Sequence, residues 1–384
     1  GWWGNTTDYG IDAEALVRAM VFNRLCDPDS KLGVLRWLET VAIPGMPDTV
    51  SHDNLLRTMD LLTDRGDAVD AAVSRLIRPL IDQELSVVFY DLTTVRIHGE
   101  AEVAGDVRAY GMNKETGGIA RQFVLGLVQT SDGLPLMHTV HPGNVAEVRT
   151  LRAMLEEVLR RFTVQRVILV ADRGLLSLDN VAQLSELAAS SARRIEFILA
   201  VPARRYGELG EVMDRLEFTD GVAQARFAEH RLVVAHDAAR AAEQGARRRT
   251  RIAELEAFAE RLVGKLDAQD DGITERGRRA TDRGAYSRFA RALADAELTR
   301  FVSADYQADR FSYTVDEAAI LDAERFDGKL VLLTSVEDLT GTQIIERYRS
   351  LADIERGFRV LKSDIEIAPV YHRLPERIRA HAQI

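Results

Sequence analysis

Three carboxylates in this sequence stand where an ionised side chain is costly unless something compensates it. Asp91 lies inside the run Val87-Val88-Phe89-Tyr90-Asp91-Leu92-Thr93-Thr94-Val95, and burying an unpaired charge costs several kcal/mol or drives the group to take up a proton. A bound divalent cation removes that cost. Asp172 follows directly on Val167-Ile168-Leu169-Val170-Ala171. That near-continuous apolar run reads as a parallel strand buried on both faces, and the carboxyl ends of such strands are where open α/β sheets place ligands. Glu355 falls in a helix expected over Ile344–Ser363, where Tyr348, Glu355 and Lys362 recur every seven residues and so project from one face. Leu351, Ile354, Phe358 and Leu361 form the apolar stripe beside them. Taken singly, each acid reads equally well as a turn cap or as half of an ordinary ion pair. Three oxygen donors without a Cys or His set suit Mg²⁺ or Mn²⁺ rather than zinc. His138 and His141 lack further ligands and read as hydrogen-bonding side chains.

The elements that must hold these acids follow from the pattern of apolar positions. Residues 11–80 repeat Leu16, Met20 and Leu25, then Leu32, Leu35 and Leu38, at helical spacing. From Leu85 the composition turns β-branched and aromatic, which predicts a strand. Gln122–Val128 and Leu134–Val140 flank Ser131-Asp132-Gly133, whose Asp-Gly pair signals a hairpin. A helix is expected over Val148–Phe162, then the strand before Asp172, then a strand Ile195–Val201 that stops at Pro202. Beyond it the alternation of strand and helix is interrupted by a more polar segment. That segment holds a hairpin near Phe218–Ala235, an arginine-rich helix at Ala238–Leu266, a Gly/Asp-rich break at Asp270–Gly284 and a second helix. Lys329–Thr334 resumes as a strand, and Thr340-Gly341-Thr342-Gln343 has capping-box spacing before the Glu355 helix.

Domain boundaries are therefore expected at 1–82 (helical), 83–202 and 326–384 (two parts of a mixed α/β domain), and 203–325 (an α+β insertion). A three-stranded antiparallel start followed by parallel strands and helices is the order of an RNase H-like domain.

Composition narrows the function classes. The 384 residues are 46% hydrophobic and 29% charged, ordinary values for a folded globular chain. No apolar run approaches the ~18 residues of a membrane-spanning helix. One cysteine, Cys26, excludes an intramolecular disulfide and a cysteine-rich zinc site and fits a reducing cytoplasm; as a small apolar residue it is expected to be buried. The net charge of −10 means that any nucleic-acid contact must come from local patches. Residues 226–300 carry sixteen basic against thirteen acidic residues, whereas residues 1–80 carry eight against twelve. In the first half of that acidic part, Arg18, Arg24, Lys31 and Arg36 are the cations available to a base-reading helix. The absence of an initial Met, and a helix under way at Ile384, are the marks of a fragment.

Five ordered blocks carry a family resemblance: Phe89-Tyr90-Asp91-Leu92-Thr93-Thr94; Tyr110-Gly111-Met112-Asn113-Lys114-Glu115; Gly133-Leu134-Pro135-Leu136 leading to His141-Pro142-Gly143-Asn144; Val170-Ala171-Asp172-Arg173-Gly174; and Tyr348 through Lys362. With Pro369-Val370-Tyr371-His372-Arg373 and Arg377-Ile378-Arg379-Ala380-His381, the chain from about residue 20 to 384 resembles bacterial insertion-sequence transposases of the DDE type. It is most similar to the insertion sequence 4 superfamily and its 1634-type group, whose last helix bears a Tyr-Arg-Glu-Lys signature. Tyr348, Glu355 and Lys362 fit that signature; its arginine position is Leu351, and Arg349 and Arg359 are the guanidinium groups available to replace it.

The resemblance implies an RNase H-like fold with Asp91, Asp172 and Glu355 as catalytic residues holding two Mg²⁺ or Mn²⁺ ions. It implies cleavage and strand transfer of double-stranded DNA at element ends in the bacterial cytoplasm, at the nucleoid when bound, by a homodimer in the DNA complex. No membrane or small-molecule substrate enters. Tyr348, Lys362, Arg359, Arg349, Arg173, Lys114 and Thr93 become the expected DNA contacts, and Arg247–Arg251 a helix face that either meets DNA or stays solvated. All three Trp residues, Trp2, Trp3 and Trp37, precede the insertion. A base-stacking aromatic there would have to be Tyr286, Phe289 or Tyr306. Two other readings compete. One is an inactive or domesticated DNA-binding element. The other is a haloacid-dehalogenase-like phosphatase, whose nucleophile loop carries a second Asp where this chain has Thr93.

Overall fold

Four helices open the chain. The computed structural model describes residues 12–80, 86–99, 106–113, 117–130, 133–146, 150–162, 164–172, 178–273 and 279–384. Within them α1 (Ala13–Cys26), α2 (Lys31–Leu38), α3 (His52–Asp64) and α4 (Gly66–Ile77) fill the stretch read as helical. The first three start on side-chain caps: Asp12 accepts from the Ala15 amide, Ser30 from Gly33 and Ser51 from Asn54, satisfying donors that a helix start leaves orphaned. Leu16, Met20, Val34, Leu55, Met59 and Leu62 close on one another, and Ala380 of the last helix, α13 (Pro375–Gln383), completes this core. Arg377 of α13 grips Asp60 of α3 with two hydrogen bonds of 2.7 Å. Cys26 is exposed, contrary to expectation. It ends α1 off the face that Leu16, Met20 and Asn23 bury.

The sheet begins with β1 (Ser86–Arg96), β2 (Ala109–Met112), β3 (Ile119–Thr130) and β4 (Pro135–Pro142), followed by β5 (Arg166–Ala171) and β6 (Arg194–Ala200). β3 pairs antiparallel with both β1 and β4, while β1 pairs parallel with β5, and β5 with β6. The resulting order, β4-β3-β1-β5-β6, is the RNase H-like arrangement. Helices α5 (Leu151–Arg161) and α6 (Leu178–Ser190) connect β4 to β5 and β5 to β6. β7 (Val222–Phe227), β8 (His230–His236) and β11 (Lys329–Thr334) extend the sheet beyond β6 in the order β11-β8-β7.

By internal contacts the chain divides into one unit of Gly1–Arg205, Arg226–Val233 and Leu332–Ile384, and a second of Tyr206–Ala225 and Val234–Val331. The second unit contains α7 (Gly210–Asp214), the 33-residue α8 (Ala238–Asp270), α9 (Asp282–Asp295), the hairpin β9 (Val302–Gln307)–β10 (Arg310–Val315) and α10 (Glu317–Glu324). Ile252, Leu255, Ala259 and Leu262 of α8 pack with Phe289, Leu293, Val302, Phe311 and Ile320. The arginine cluster of α8 is partly engaged within the fold, with Arg247 exposed. Arg248 pairs with Asp327, Arg249 with Glu324, and Arg251 donates to the Ala296 carbonyl.

The single helix expected over Ile344–Ser363 is two: α11 (Gly341–Arg349), started by the anticipated capping box of Thr340 and Gln343, and α12 (Leu351–Ser363). The hydroxyl of Ser350 donates back to the Glu346 carbonyl at 3.2 Å, as does its amide at 3.1 Å. A serine hydroxyl that competes for the backbone acceptor in this way bends a helix. Tyr348 and Glu355 therefore lie on different helices and do not share one straight face.

Candidate active site

The parallel pairing of β1 with β5 sets the site. Its register runs from Ser86 opposite Val167 to Tyr90 opposite Ala171, so the next step along both chains brings Asp91 and Asp172 side by side. Strands at that separation lie about 4.8 Å apart, and residues level with one another on parallel strands point to the same face. Both carboxylates are half-buried. Asp91 accepts the Leu92 amide at 2.7 Å through Oδ1. Asp172 accepts the Tyr348 hydroxyl at 2.9 Å, also through Oδ1. That bond is made possible by α11, which lays Ile344 and Ile345 against β5 and β6.

α12 packs on β1, the strand of Asp91, with Ile354 and Phe358 buried. Glu355, next to Ile354, is exposed. Among the described residues no three His, Cys, Asp or Glu side chains are gathered closely enough to hold a metal ion. In kind, Asp91 and Asp172 fit one: hard oxygen donors on neighbouring strands, Asp91 within β1 and Asp172 directly after β5. Glu355 is an oxygen donor of the same kind on the helix packed against β1, and the structure does not gather it with the two aspartates.

The expected DNA contacts divide. Arg349 and Arg359 are exposed, and Tyr348 and Lys362 half-buried. Leu351, at the signature's arginine position, is buried. Thr93 is only 6% exposed, so its hydroxyl does not present itself to a duplex; it lies two residues from Asp91 on the same strand, on the same face but inside the fold. Lys114 and Arg173 fall outside the described residues. Of the N-terminal cations, Arg24 and Lys31 are buried, so they do not present themselves as base readers, while Arg36 is exposed beside Asp29. In the insertion Phe289 is fully buried in the core, so it cannot stack on a base; Tyr306 donates to Asp309 at 2.9 Å.

One organising residue carried no signal in the sequence reading. Gln122 of β3 is 1% exposed. Its Nε2 donates to the carbonyls of Met112 and Gly143, each at 3.1 Å, and its Oε1 accepts from Asn113 Nδ2 at 3.0 Å. Asn113 also reaches Thr94 of β1 at 3.4 Å. Two separate sequence blocks, around Gly111 and Gly143, are thereby locked beside the Asp91 strand. The packing admits only glycine: a Cβ on Gly111 would lie 2.2 Å from the Gly143 carbonyl oxygen. Gln122 shares β3 with Gln129, so residue type alone does not mark it.

The phosphatase reading loses its geometry. β1 runs on to Arg96, so Asp91 sits within a paired strand rather than on a loop beyond its end.

Comparison with known proteins comes from two directions. Residues 82–384 match the model of the transposase DDE domain. No curated protein matches the chain. Among solved structures, the Mos1 transposase paired-end complex with left transposon end is similar at 12% identity and a TM-score of 0.19, over 50% of this chain and 61% of that one. The Mos1 mariner paired end complex with Mn is similar at 14% identity and a TM-score of 0.18, over 50% and 60%. The matched region thus spans about three fifths of those solved chains. The family model covers most of the sequence, including all three acids: the chain belongs to the family of transposase DDE domains.

Proposed function

We propose that this protein is a DNA transposase that cuts and joins phosphodiester bonds at the ends of a mobile element, with Asp91, Asp172 and Glu355 as its catalytic residues. The observation that carries the reading is the β1–β5 register, which sets Asp91, within β1, level with Asp172, just after β5, in a DDE-family domain. The finer placement in the insertion sequence 4 superfamily rests on the spacing of Tyr348, Glu355 and Lys362, with buried Leu351 where the signature has arginine.

Asp91, Asp172 and Glu355 would hold divalent ions of the Mg²⁺ or Mn²⁺ class, whose charge stabilises the attacking and leaving oxygens of an in-line displacement. The chain's own part is orientation. The Tyr348 hydroxyl holds Oδ1 of Asp172, and the Leu92 amide holds Oδ1 of Asp91, which fixes the orientation of both carboxylates. Exposed Arg349 and Arg359, with Lys362 on the same helix as Glu355, are placed to hold backbone phosphates without reading sequence. Bringing two element ends together requires at least two copies of the chain on DNA.

The test is cleavage of a supercoiled plasmid bearing the DNA that flanks the coding sequence. The wild type should nick it only with Mg²⁺ or Mn²⁺, and Asp91→Asn and Asp172→Asn should bind the same DNA without nicking it. Nicking by either variant at the wild-type rate would overturn the assignment.

A further inference from the structure

Away from the acids, a cavity of about 700 Å³ lies among the N-terminal helices and the segment leading into α13. Arg24, Lys31, His52, His372, Arg373 and His381 are among its lining residues. Lys31, the first residue of α2, is only 6% exposed, and so is Arg24 near the end of α1. Arg24 donates to Nδ1 of His381 at 3.2 Å, and Nε2 of His381 donates to the Ile367 carbonyl at 3.1 Å. Among the described residues the Lys31 ammonium has neither an ion pair nor a hydrogen-bond partner, although it opens onto the cavity.

The acids in the wall do not offset this charge. Asp29 is held by Arg36 at 3.2 Å and Glu366 is exposed. Arg377 in the wall is already matched by Asp60. Burial, helped by Arg24, pushes Lys31 down to about 7, and burial with the surrounding cations pushes His372 down to about 4. A fold that keeps convergent cations buried without a counter-charge is built for an anion to enter. The N-terminus of α2 adds its own positive end to the same wall. A guanidinium and an ammonium group lining one cavity suit a multi-oxygen anion better than a single carboxylate.

We propose that this cavity is a phosphate-binding site, with Lys31 and Arg24 on its inner wall and exposed Arg373 at its mouth. The phosphate group comes either free, as inorganic phosphate or a small phosphate ester, or as a phosphodiester of the DNA backbone. The first source is independent of the transposase reading; the second rests on it.

The full chain should be heated with increasing sodium phosphate, and with chloride at matched ionic strength as control. Two variants accompany the wild type: Lys31→Met, which keeps the side-chain length, and Arg373→Gln, an exposed change that leaves the fold alone. Expected for free phosphate is a concentration-dependent rise in Tm for the wild type over the chloride control, absent in Lys31→Met and reduced in Arg373→Gln. Without phosphate, Lys31→Met should be at least as stable as the wild type, because it removes an unpaired buried charge. Expected for a DNA phosphodiester is no response to free phosphate, but duplex affinity at least tenfold weaker in both variants with the salt dependence reduced. If neither phosphate nor duplex distinguishes the wild type from both variants, the proposal is wrong. Loss of nicking with phosphate binding intact would instead count against the transposase reading alone.

Discussion

The hydroxyl of Tyr348 donates to Oδ1 of Asp172 at 2.9 Å, tying the last turn of α11 to the end of β5. A tyrosine seven residues before the glutamate thus orients a carboxylate that is 176 residues away in sequence. Outer partners of this kind usually change activity or metal affinity about 10–100-fold when removed. Tyr348→Phe should therefore lower the nicking rate by roughly that factor and raise the Mg²⁺ concentration needed for half-maximal rate, with duplex affinity unchanged. A Tyr348→Phe enzyme with the wild-type metal requirement would show that the bond is incidental.

Gln122 is a stability residue by the same reasoning. Gln122→Leu removes the donor that the carbonyls of Met112 and Gly143 share and one acceptor of the Asn113 amide, which keeps Thr94. Orphaning buried polar groups costs about 1–3 kcal/mol each, partly relieved by relaxation. Chemical denaturation should show a loss of at least about 2 kcal/mol. A loss within experimental error would mean that the network is not formed in solution.

Charge reversal in α8 should act on folding. Arg248 and Asp327 are both nearly buried, with side chains 12% and 11% exposed. Removing one partner of such a pair commonly costs about 3–5 kcal/mol. Arg248→Ala should therefore destabilise the protein markedly, whereas Arg247→Ala, at an exposed position, should be close to neutral. Equal stability of the two variants, with weakened DNA binding in both, would restore the cluster as a DNA face.

Stability should fall on acidification through the histidines near α13. Burial, together with Lys31, Arg377, Arg24 and His52, holds His372 at about 4, and burial with Arg24, Lys31 and His372 holds His381 well below the usual imidazole range. Between pH 4 and 6.5 the unfolded chain then binds more protons than the folded one, so stability rises with pH across that window and drops as pH falls. Tm measured at a series of pH values should decline below pH 6.5, and His372→Asn should flatten part of that slope. An unchanged slope in the variant would remove His372 from the account.

The sequence was most readable where residue type and geometry coincide. The β-branched runs around Asp91 and before Asp172 are strands because such side chains fit a pleated, buried surface, and their pairing brings both acids to one level on neighbouring strands. Thr340 with Gln343 marked the start of α11. What escaped lacked a local signal. The β9–β10 turn places Ala308 and Asp309 at φ 49° and 59° without a glycine, so the usual hairpin dipeptide is absent. The break at Ser350 comes from one hydroxyl returning to a carbonyl, which helical periodicity cannot reveal. Nor could it reveal that Arg24 and Lys31, basic residues on short helices, face inward to a cavity, since their burial depends on α13 more than three hundred residues later.

The most direct test of the central claim is the nicking rate of Glu355→Gln beside the wild type, on the same plasmid and with Mg²⁺. Glu355 is the acid whose role depends on α12 lying against the Asp91 strand, and it is exposed, so the substitution spares the core. The account predicts DNA binding retained and a rate lower by at least about 10²-fold, the loss typical when a group stabilising the transition state is removed. A Glu355→Gln protein that nicks as fast as the wild type would contradict it.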